Sequence, residues 1–491
     1  MRLNNHNLFL LKESQYSKNS IKLPIISSNK LLHFGVGGFH RSHQCSYTLD
    51  AMKLSQDYRW GITGIGIIKI DEILKEDLEK QNYLYSLIVK MPNENQILLM
   101  DIIKNYIYAY QNYTNYIKYI KNPELSIISM TITEGSYYID KKSKNLDFLH
   151  CDIQHDLKNS HKPMSIYGYL SLGLQIRMEK GLSGVTLLSC DNIEHNGDLF
   201  KNAFLMFLEA SNLKLQKWVK EHCSFPNSMV DRITPKATKK DQDFIFEKTG
   251  IVDQCAIVCE PFRQWIIEDN FVSERPKWEL AGVQFVSDVA PYEKMKLRLL
   301  NGSHQALCYL GYLHGYRFVH EVMNDPDFKC FLMNYMTNEV QPTLDEVKGI
   351  DLAIYKKTLI ERFSNPNILD TLQRICEFTS DRIPIFNLPV ILENKEKQPN
   401  LKYASLILAS WLVYLEGKDE NGIEIQIVDH KKEMLLKLAK KAQANPQLFL
   451  DEKSIFLNLS ENKQFIKLFE KSYHLIKKNG AKGALKALMR E

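Results

Sequence analysis

The sequence predicts an α/β N-terminal domain with a mainly parallel sheet, residues 1–288, followed by a mostly α-helical C-terminal domain, residues 289–491. Three observations carry this. Up to about residue 290, short β-branched apolar runs alternate with amphipathic connections, the pattern of βαβ units. The first of those runs ends in a glycine-rich turn that leads into a helical stretch. After Pro291 the apolar residues fall instead at i, i+3 and i+4, the spacing of helices.

The strands expected, in order, are 31–35, 60–68, 84–89, 97–102, 126–133, 184–190 and 282–287. Each is a short apolar run, and the longer connections between them suit crossovers in a parallel sheet. Residues 42–53 read as the first helix. The helical half is clearest in LRLLNGSHQALCYLGYLH, YASLILASWLVYL and KKEMLLKLAKKA, and the boundary between the halves lies near 288–291. No internal repeat and no low-complexity segment interrupts this plan. The lysine-rich run 467–490 reads as a solvated helix face, since arginine and aromatic residues are sparse there.

Composition excludes several classes of function. With 63 Lys and Arg against 58 Asp and Glu, a net charge of +5 is too thinly spread over 491 residues to mark a nucleic-acid surface. A chain 44% hydrophobic and 25% charged is neither disordered nor fibrous. The longest apolar stretch, 403–415, is shorter than the roughly 20 residues of a membrane span. The first residues lack the apolar core and cleavage site of a secretory signal. Nine cysteines, an odd number without a CxxC pair, read as reduced thiols of a cytoplasmic protein, and no metal site is expected.

The glycine-rich turn, LLHFGVGGFHRSHQ, follows the first strand and precedes the first helix. In that context backbone N–H groups and a helix N-terminus hold a pyrophosphate, so the N-terminal domain is expected to be of the Rossmann type. Phe34, Gly35, Val36, Gly37, Gly38 and Phe39 would form the phosphate loop. Gly35 permits the tight turn and Gly37 the close approach, while His40 stands in place of the third glycine of GxGxxG. Taken alone, the loop is a weak signal, and a structural strand-to-helix turn is the alternative. Arg41 either adds charge at the phosphate or is a surface arginine. After the second strand, Lys69 and then Asp71 occupy the place where a carboxylate commonly binds the ribose 2′-OH. The cofactor expected is NAD, with NADP as the alternative that Lys69 leaves open.

The segment PYEKMKLRLLNGSH carries more chemistry. At about 100° per residue, Lys296 and His304 lie about 80° apart on a helix, with Asn301 about 60° beyond His304, so that all three can face one cleft. Lysine, asparagine and histidine on an otherwise apolar helix are costly to bury without partners. A capping asparagine and a satisfied core histidine are the structural alternative. Other polar groups stand at the ends of apolar runs: Glu134 in SIISMTITEGSYY, and Asp191, Asn192 and His195 in GVTLLSCDNIEHNG. Ligands of doubly wound sheets bind at such carboxyl ends, which would direct Glu134 and Asn192 toward a cofactor. For Glu134, a first-turn helix carboxylate is the alternative.

Together the segments GVGGFHRSHQ, TITEGSYY, SCDNIEHNG, FPNSMVDRITP, EPFRQWIIED and YEKMKLRLLNGSH resemble the polyol-specific long-chain dehydrogenases, the mannitol dehydrogenase family. The matches run in order from about residue 33 to 384, and the length fits the mannitol 2-dehydrogenase branch. The resemblance implies zinc-independent hydride transfer between a nicotinamide and a secondary alcohol or ketone. It implies Lys296, not Lys294, as general base, with Asn192 and Asn301 on the substrate oxygen and His304 on a neighbouring hydroxyl. Glu134 would pass protons between Lys296 and solvent, and Asp231 would lie near cofactor and substrate. The family's substrate-binding arginine falls on Arg374, and its lysine partner is replaced by Arg382, which keeps the charge but changes its shape. For EPFRQWIIED the resemblance offers Arg263 and Trp265 no role beyond packing.

The chemistry agrees with these residues. A free lysine titrates near 10.4, so Lys296 has to be shifted down to accept an alcohol proton, and desolvation with the nearby Arg298 cation would act that way. The two asparagine amides would stabilise a developing alkoxide as an oxyanion hole does. The expected activity is a NAD-linked polyol dehydrogenase interconverting mannitol and fructose. A hexuronate reductase, for which Arg374 and Arg382 would hold a carboxylate, is the alternative within the family. A catalytically silent nucleotide-binding sensor is the alternative outside it. Partners expected are a small polyol or ketose, with neither nucleic acid nor membrane, acting on a monomer.

Overall fold

The computed structural model describes residues 2–8, 30–110, 113–140, 143, 145–394 and 400–490. The chain divides into two compact units, Met1–Ala290 and Pro291–Glu491.

Among its described residues the first unit has eleven strands: β1 (Leu31–Phe34), β2 (Ile62–Gly66), β3 (Tyr85–Val89), β4 (Gln96–Met100), β5 (Ile103–Tyr108), β6 (Ile127–Met130), β7 (Thr186–Ser189), β8 (Ser228–Asp231), β9 (Ile257–Cys259), β10 (Gln264–Glu268) and β11 (Gln284–Val286). Five of them form a parallel sheet in the order β5-β2-β1-β6-β7, with Leu31 opposite both Ile62 and Ile127. Every residue of β1, β2, β6 and β7 is buried, as in a sheet covered on both faces. Alternation along the strands divides the core. Leu31, Ile62 and Ile127 pack with Trp60 and Trp265 on one face, and Leu32, Ile65 and Ile128 with Tyr167, Phe200 and Phe204 on the other. From β1 the chain builds β2 and β5 to one side, then β6 and β7 to the other. The strand order therefore reverses at β1 and β6, and their carboxyl ends flank the crevice where such sheets take ligands.

The sheet differs from expectation in two ways. Strands 84–89 and 97–102 do not join it. As β3 and β4 they pair antiparallel, and β9 completes their own three-stranded sheet. The connection KMPNEN is a turn, far too short for a parallel crossover. The apolar run that begins at 97 also continues past its expected end. It breaks at Asp101, whose carboxylate meets Lys104, and resumes as β5, an edge of the parallel sheet. Expected strand 282–287 is β11, parallel to β10 in a third sheet with β8.

The second unit is helical. Helices used below are α1 (Gly38–Ser42) and α2 (Gln44–Ser55) of the first unit. Those of the second are α3 (Ala290–Lys296), α4 (Gly302–His314), α5 (Pro326–Tyr335), α6 (Leu352–Phe363), α7 (Leu388–Asn394), α8 (Lys402–Tyr414) and α9 (Lys463–Arg490). Tyr403 to Tyr414 of α8 are all buried, with α9 its largest neighbour, so the longest apolar run is a core helix. Among the described residues no helix is long and apolar enough to cross a membrane. Among the described residues two π turns interrupt the helices: Leu297–Asn301 joins α3 to α4, and Met336–Val340 follows α5.

Candidate active site

At the exit of β1, Gly35 has φ 82°, and a Cβ there would lie 2.1 Å from the Thr131 carbonyl oxygen. Only glycine lets the exits of β1 and β6 approach this closely. Phe34 and Val36 are buried beneath the loop, and Gly37 caps α1 with no side chain to occupy the first turn. A Cβ on Gly37 would meet only Gly35 O, at 3.9 Å. The loop therefore presents bare backbone at a helix start, which fits a phosphate group. His40 fills the place of the third glycine by lying flat on His33 of β1, ring centroids 3.4 Å apart and 13° between planes. Burial drives His33 down to about 3 and His40 well below the usual histidine range, so the pair stacks as neutral rings.

Arg41 points inward. Its NH1 donates to Cys255 O at 2.7 Å and its Nε to Gly37 O at 3.3 Å, so it fastens the loop to the segment before β9. Phe39 stacks on His43. Trp265 packs on His43 and Tyr47, while Arg263 lies over Tyr47 and bonds Asp50, which makes the EPFRQW segment the packing behind α2. Lys69 is exposed. The Asp71 carboxylate accepts from Ile67 and Ile68 N–H at the end of β2.

Glu134 is exposed at the start of a short 3-10 turn after β6, and Asn192 is exposed just beyond β7. The residue between them in role is Asp191. Its carboxylate accepts from Ile132 N at 3.0 Å, Thr133 N at 2.9 Å and Tyr137 OH at 2.8 Å. It thereby clasps the loop that carries Glu134 to the strand end that carries Asn192. Asn196 then ties that strand end to β8, donating to Asp191 O and Ser228 O. Asp231 ends β8 and is buried, and Arg232 after it donates to Glu260 O and to Ser42 O of α1. In the sequence Asp191 showed only as one polar residue among several, and no spacing marked Asn196 or Arg232 as its complement.

In the second unit, Lys296 ends α3 and is 6% exposed. The π turn after it closes with Gly302 N–H on Leu297 O, five residues back. That inserts one residue relative to an α-helix, and everything beyond it turns back by about 100°. Relative to Lys296, Asn301 moves from about 140° to about 40°, and His304 from about 80° to about −20°. The three side chains, spread over about 140° on a regular helix, fall within about 60°. Asn301 Oδ1 is buried without a hydrogen-bond partner among the described residues, an orphan that a ligand hydroxyl would satisfy. The His304 ring lies on Phe363 of α6, centroids 4.5 Å apart.

The charges around this turn differ from expectation. Arg298 is not an uncompensated cation beside Lys296: Glu393 takes its guanidinium at two points, and Thr343 O accepts from NH1 at 3.0 Å. Lys294 pairs with Asp345 and Glu393. Arg374 forms a two-point ion pair with Asp370, at 2.8 and 2.7 Å, and Arg382 donates to Arg374 O and Ile375 O. Among the described residues, His150, Cys151 and Asp152 bring three metal-ligand atoms within 4.8 Å of one another, and none of them is a predicted site residue.

Residues 29–280 match the family model of the mannitol dehydrogenase Rossmann domain, and residues 288–477 that of the mannitol dehydrogenase C-terminal domain. A mannitol dehydrogenase of Saccharomyces cerevisiae is 38% identical over 463 residues, 94% of this chain and 92% of its own. A mannitol 2-dehydrogenase of Aspergillus fumigatus is 39% identical over 431 residues, 87% and 86% of the two chains. Among solved structures, the ternary complex of Pseudomonas fluorescens mannitol 2-dehydrogenase with NAD and D-mannitol has a TM-score of 0.83 at 39% identity, covering all of both chains. A substrate-free D-sorbitol dehydrogenase has a TM-score of 0.91 at 30% identity, covering 99% of this chain and all of its own.

Proposed function

The chain belongs to the mannitol dehydrogenase family, and from that premise we propose that it is a NAD-dependent polyol dehydrogenase interconverting D-mannitol and D-fructose, with a lysine base and no zinc. Its class, an oxidoreductase acting on CH–OH groups, follows from the family. The observation that supports the lysine mechanism most is the π turn that gathers Lys296, Asn301 and His304 on one helix face. The orphaned Asn301 Oδ1 in that group is an acceptor free for a substrate hydroxyl, which supports substrate binding there, while the donor role falls to its Nδ2.

A nicotinamide, when bound, supplies the hydride acceptor or donor. The chain's own residues do the rest. Residues Phe34 to Phe39 would hold the dinucleotide phosphates on the backbone N–H groups that the fold leaves over, Gly35 N–H being spent on Ile65 O and Gly37 N–H on Gly35 O, with Arg41 keeping the loop in shape. Lys69 and Asp231 contribute to the same cofactor site. In oxidation Lys296 Nζ takes the hydroxyl proton as the hydride leaves, and in reduction it returns that proton to the carbonyl oxygen. Asn192 and Asn301 donate to the oxygen while it carries alkoxide character, and His304 binds an adjacent hydroxyl. Glu134, exposed on its clasped loop, exchanges the proton with water. Asp231, Arg374 and Arg382 complete substrate binding. The absence of CxxC pairs and the nine free cysteines support a cytoplasmic setting, and we read the enzyme as a monomer.

The test is Lys296→Ala. Turnover with mannitol is expected to fall by about 10²–10⁴, with NAD binding retained. Wild-type turnover would remove Lys296 as the base. Activity is expected to survive chelators, and a loss restored by added zinc would contradict the mechanism. Oxidation of mannitol, sorbitol and arabinitol should be measured beside reduction of fructose and fructuronate. The second reading, a hexuronate reductase, is favoured by two arginines where the family carries arginine and lysine. Turnover of uronates alone would establish it.

A further inference from the structure

The π turn is held at both ends by one short helix. At its entry, Arg298 is gripped by Glu393 near the end of α7. At its exit, Asn387, immediately before α7, donates from Nδ2 to Gly302 O at 3.1 Å and to Tyr335 OH at 3.0 Å. Asn387 is 1% exposed and its Oδ1 has no partner among the described residues, so the side chain is buried at a cost and only its two N–H donors are used. Tyr335 is the last residue of α5, which leads into the second π turn, and Asn394 at the far end of α7 donates to Glu339 O within that turn. Relaxing the first π turn to α geometry would rotate Gly302 by about 100° and move it about 1.5 Å along the axis. The two grips, on Arg298 and on Gly302, bracket the five-residue closure, and the amide hydrogen bond to Gly302 O would be lost in α geometry.

We propose that Asn387 is a positioning residue that holds the turn in its five-residue register and so keeps Asn301 on the Lys296 face. This rests on the reading of Lys296 as base and Asn301 as the donor to the substrate oxygen. Asn387 touches neither the substrate nor the cofactor in this scheme. Its effect on turnover passes through Asn301.

A double-mutant cycle measures that coupling. Asn387→Leu removes both donors at similar volume. It is expected to lower kcat for mannitol oxidation about 30- to 100-fold, the scale of a 1 Å misplacement. KM for mannitol and NAD affinity should change less than about threefold, because the register acts on the proton-transfer geometry. In an Asn301→Ala background the same substitution should change kcat less than about threefold, since the donor it positions is gone. Equal losses in both backgrounds, or unchanged kcat with Asn387→Leu, would overturn the proposal. Should Asn387→Leu fail to fold, Glu393→Gln loosens the other grip at a half-exposed position, and the same cycle with Asn301→Ala decides the question. Lys296→Ala run alongside separates the two layers. Retained turnover there refutes the base, whereas loss of turnover there with additive Asn387 effects refutes only the positioning role.

Discussion

A methyl group on Gly35 would overlap the Thr131 carbonyl at 2.1 Å, and φ 82° is unfavourable for any L side chain. Gly37, two residues on, has nothing closer than 3.9 Å to a built Cβ. The two glycines therefore do different work, although both belong to one sequence motif. Gly35 maintains the contact between the exits of β1 and β6, and through the Asp191 clasp on Ile132 and Thr133 it supports the loop of Glu134. Gly37 leaves room over the backbone for a phosphate. Gly35→Ala is expected to destabilise the fold by about 1–3 kcal/mol and to weaken NAD binding. Gly37→Ala should leave Tm within a degree or two and weaken NAD binding alone. Thermal melts beside NAD titrations distinguish these outcomes, and a Gly35→Ala protein with wild-type Tm would refute the steric account.

At the scale of elements, the strands flanked by long connections were legible and those set by tertiary pairing were not. β1, β2, β6 and β7 are continuous apolar runs buried on both faces, and they lie where the sequence puts them. β5 was hidden because only Asp101 and Ile102, with no glycine or proline, separate it from β4. β8, β9 and β10 lie among Pro226, Pro235, Glu260, Pro261 and Arg263, which break up the apolar runs around them. The π turns were equally invisible, since an inserted residue leaves the apolar spacing helical to the eye. The second of them carries a testable consequence. Glu339 is buried with its carboxyl oxygens accepting Tyr403 and Ala404 N–H, both at 2.8 Å, in the first turn of α8. Burial outweighs those bonds and the nearby Lys402, and pushes its carboxyl up to about 8. An unfolded glutamate titrates near 4.3. Between those values the unfolded chain gives up a proton that the native one keeps. This group therefore lowers stability as pH rises from about 4.3 to 8, by at most about 1.4 kcal/mol per pH unit, and adds no further pH dependence outside that window. Glu339→Gln should be less stable than wild type at pH 5, where it gives up one acceptor, and should gain on wild type steadily up to pH 8. A Tm difference independent of pH would contradict this.

For the whole molecule, a net charge of +5 says little about partners, because it is thinly spread over 491 residues. The ordered motifs made the family and most candidate residues readable. Their partners were not, since Asp191, Asn387 and Glu393 act through contacts 50 or more residues away in the chain. Substrate class is where that difference matters. Arg374 and Arg382 read in sequence as a pair of cations for a carboxylate. In the fold Asp370 answers Arg374 with two hydrogen bonds, and Arg382 is turned to the carbonyls of Arg374 and Ile375. A neutral polyol can bind such an arginine through its hydroxyls while the ion pair stays closed. A uronate has to compete with Asp370, and two carboxylates around one guanidinium repel. The wild-type protein is therefore expected to favour mannitol and fructose over uronates. Asp370→Asn removes the competing charge at constant shape. It should raise kcat/KM for fructuronate reduction by about tenfold, the effect of roughly 1.4 kcal/mol of differential binding, and change mannitol oxidation less than about threefold. Steady-state kinetics with both substrates check this, and an unchanged ratio between them would mean that Arg374 does not meet the substrate at the end where a uronate carries its carboxylate.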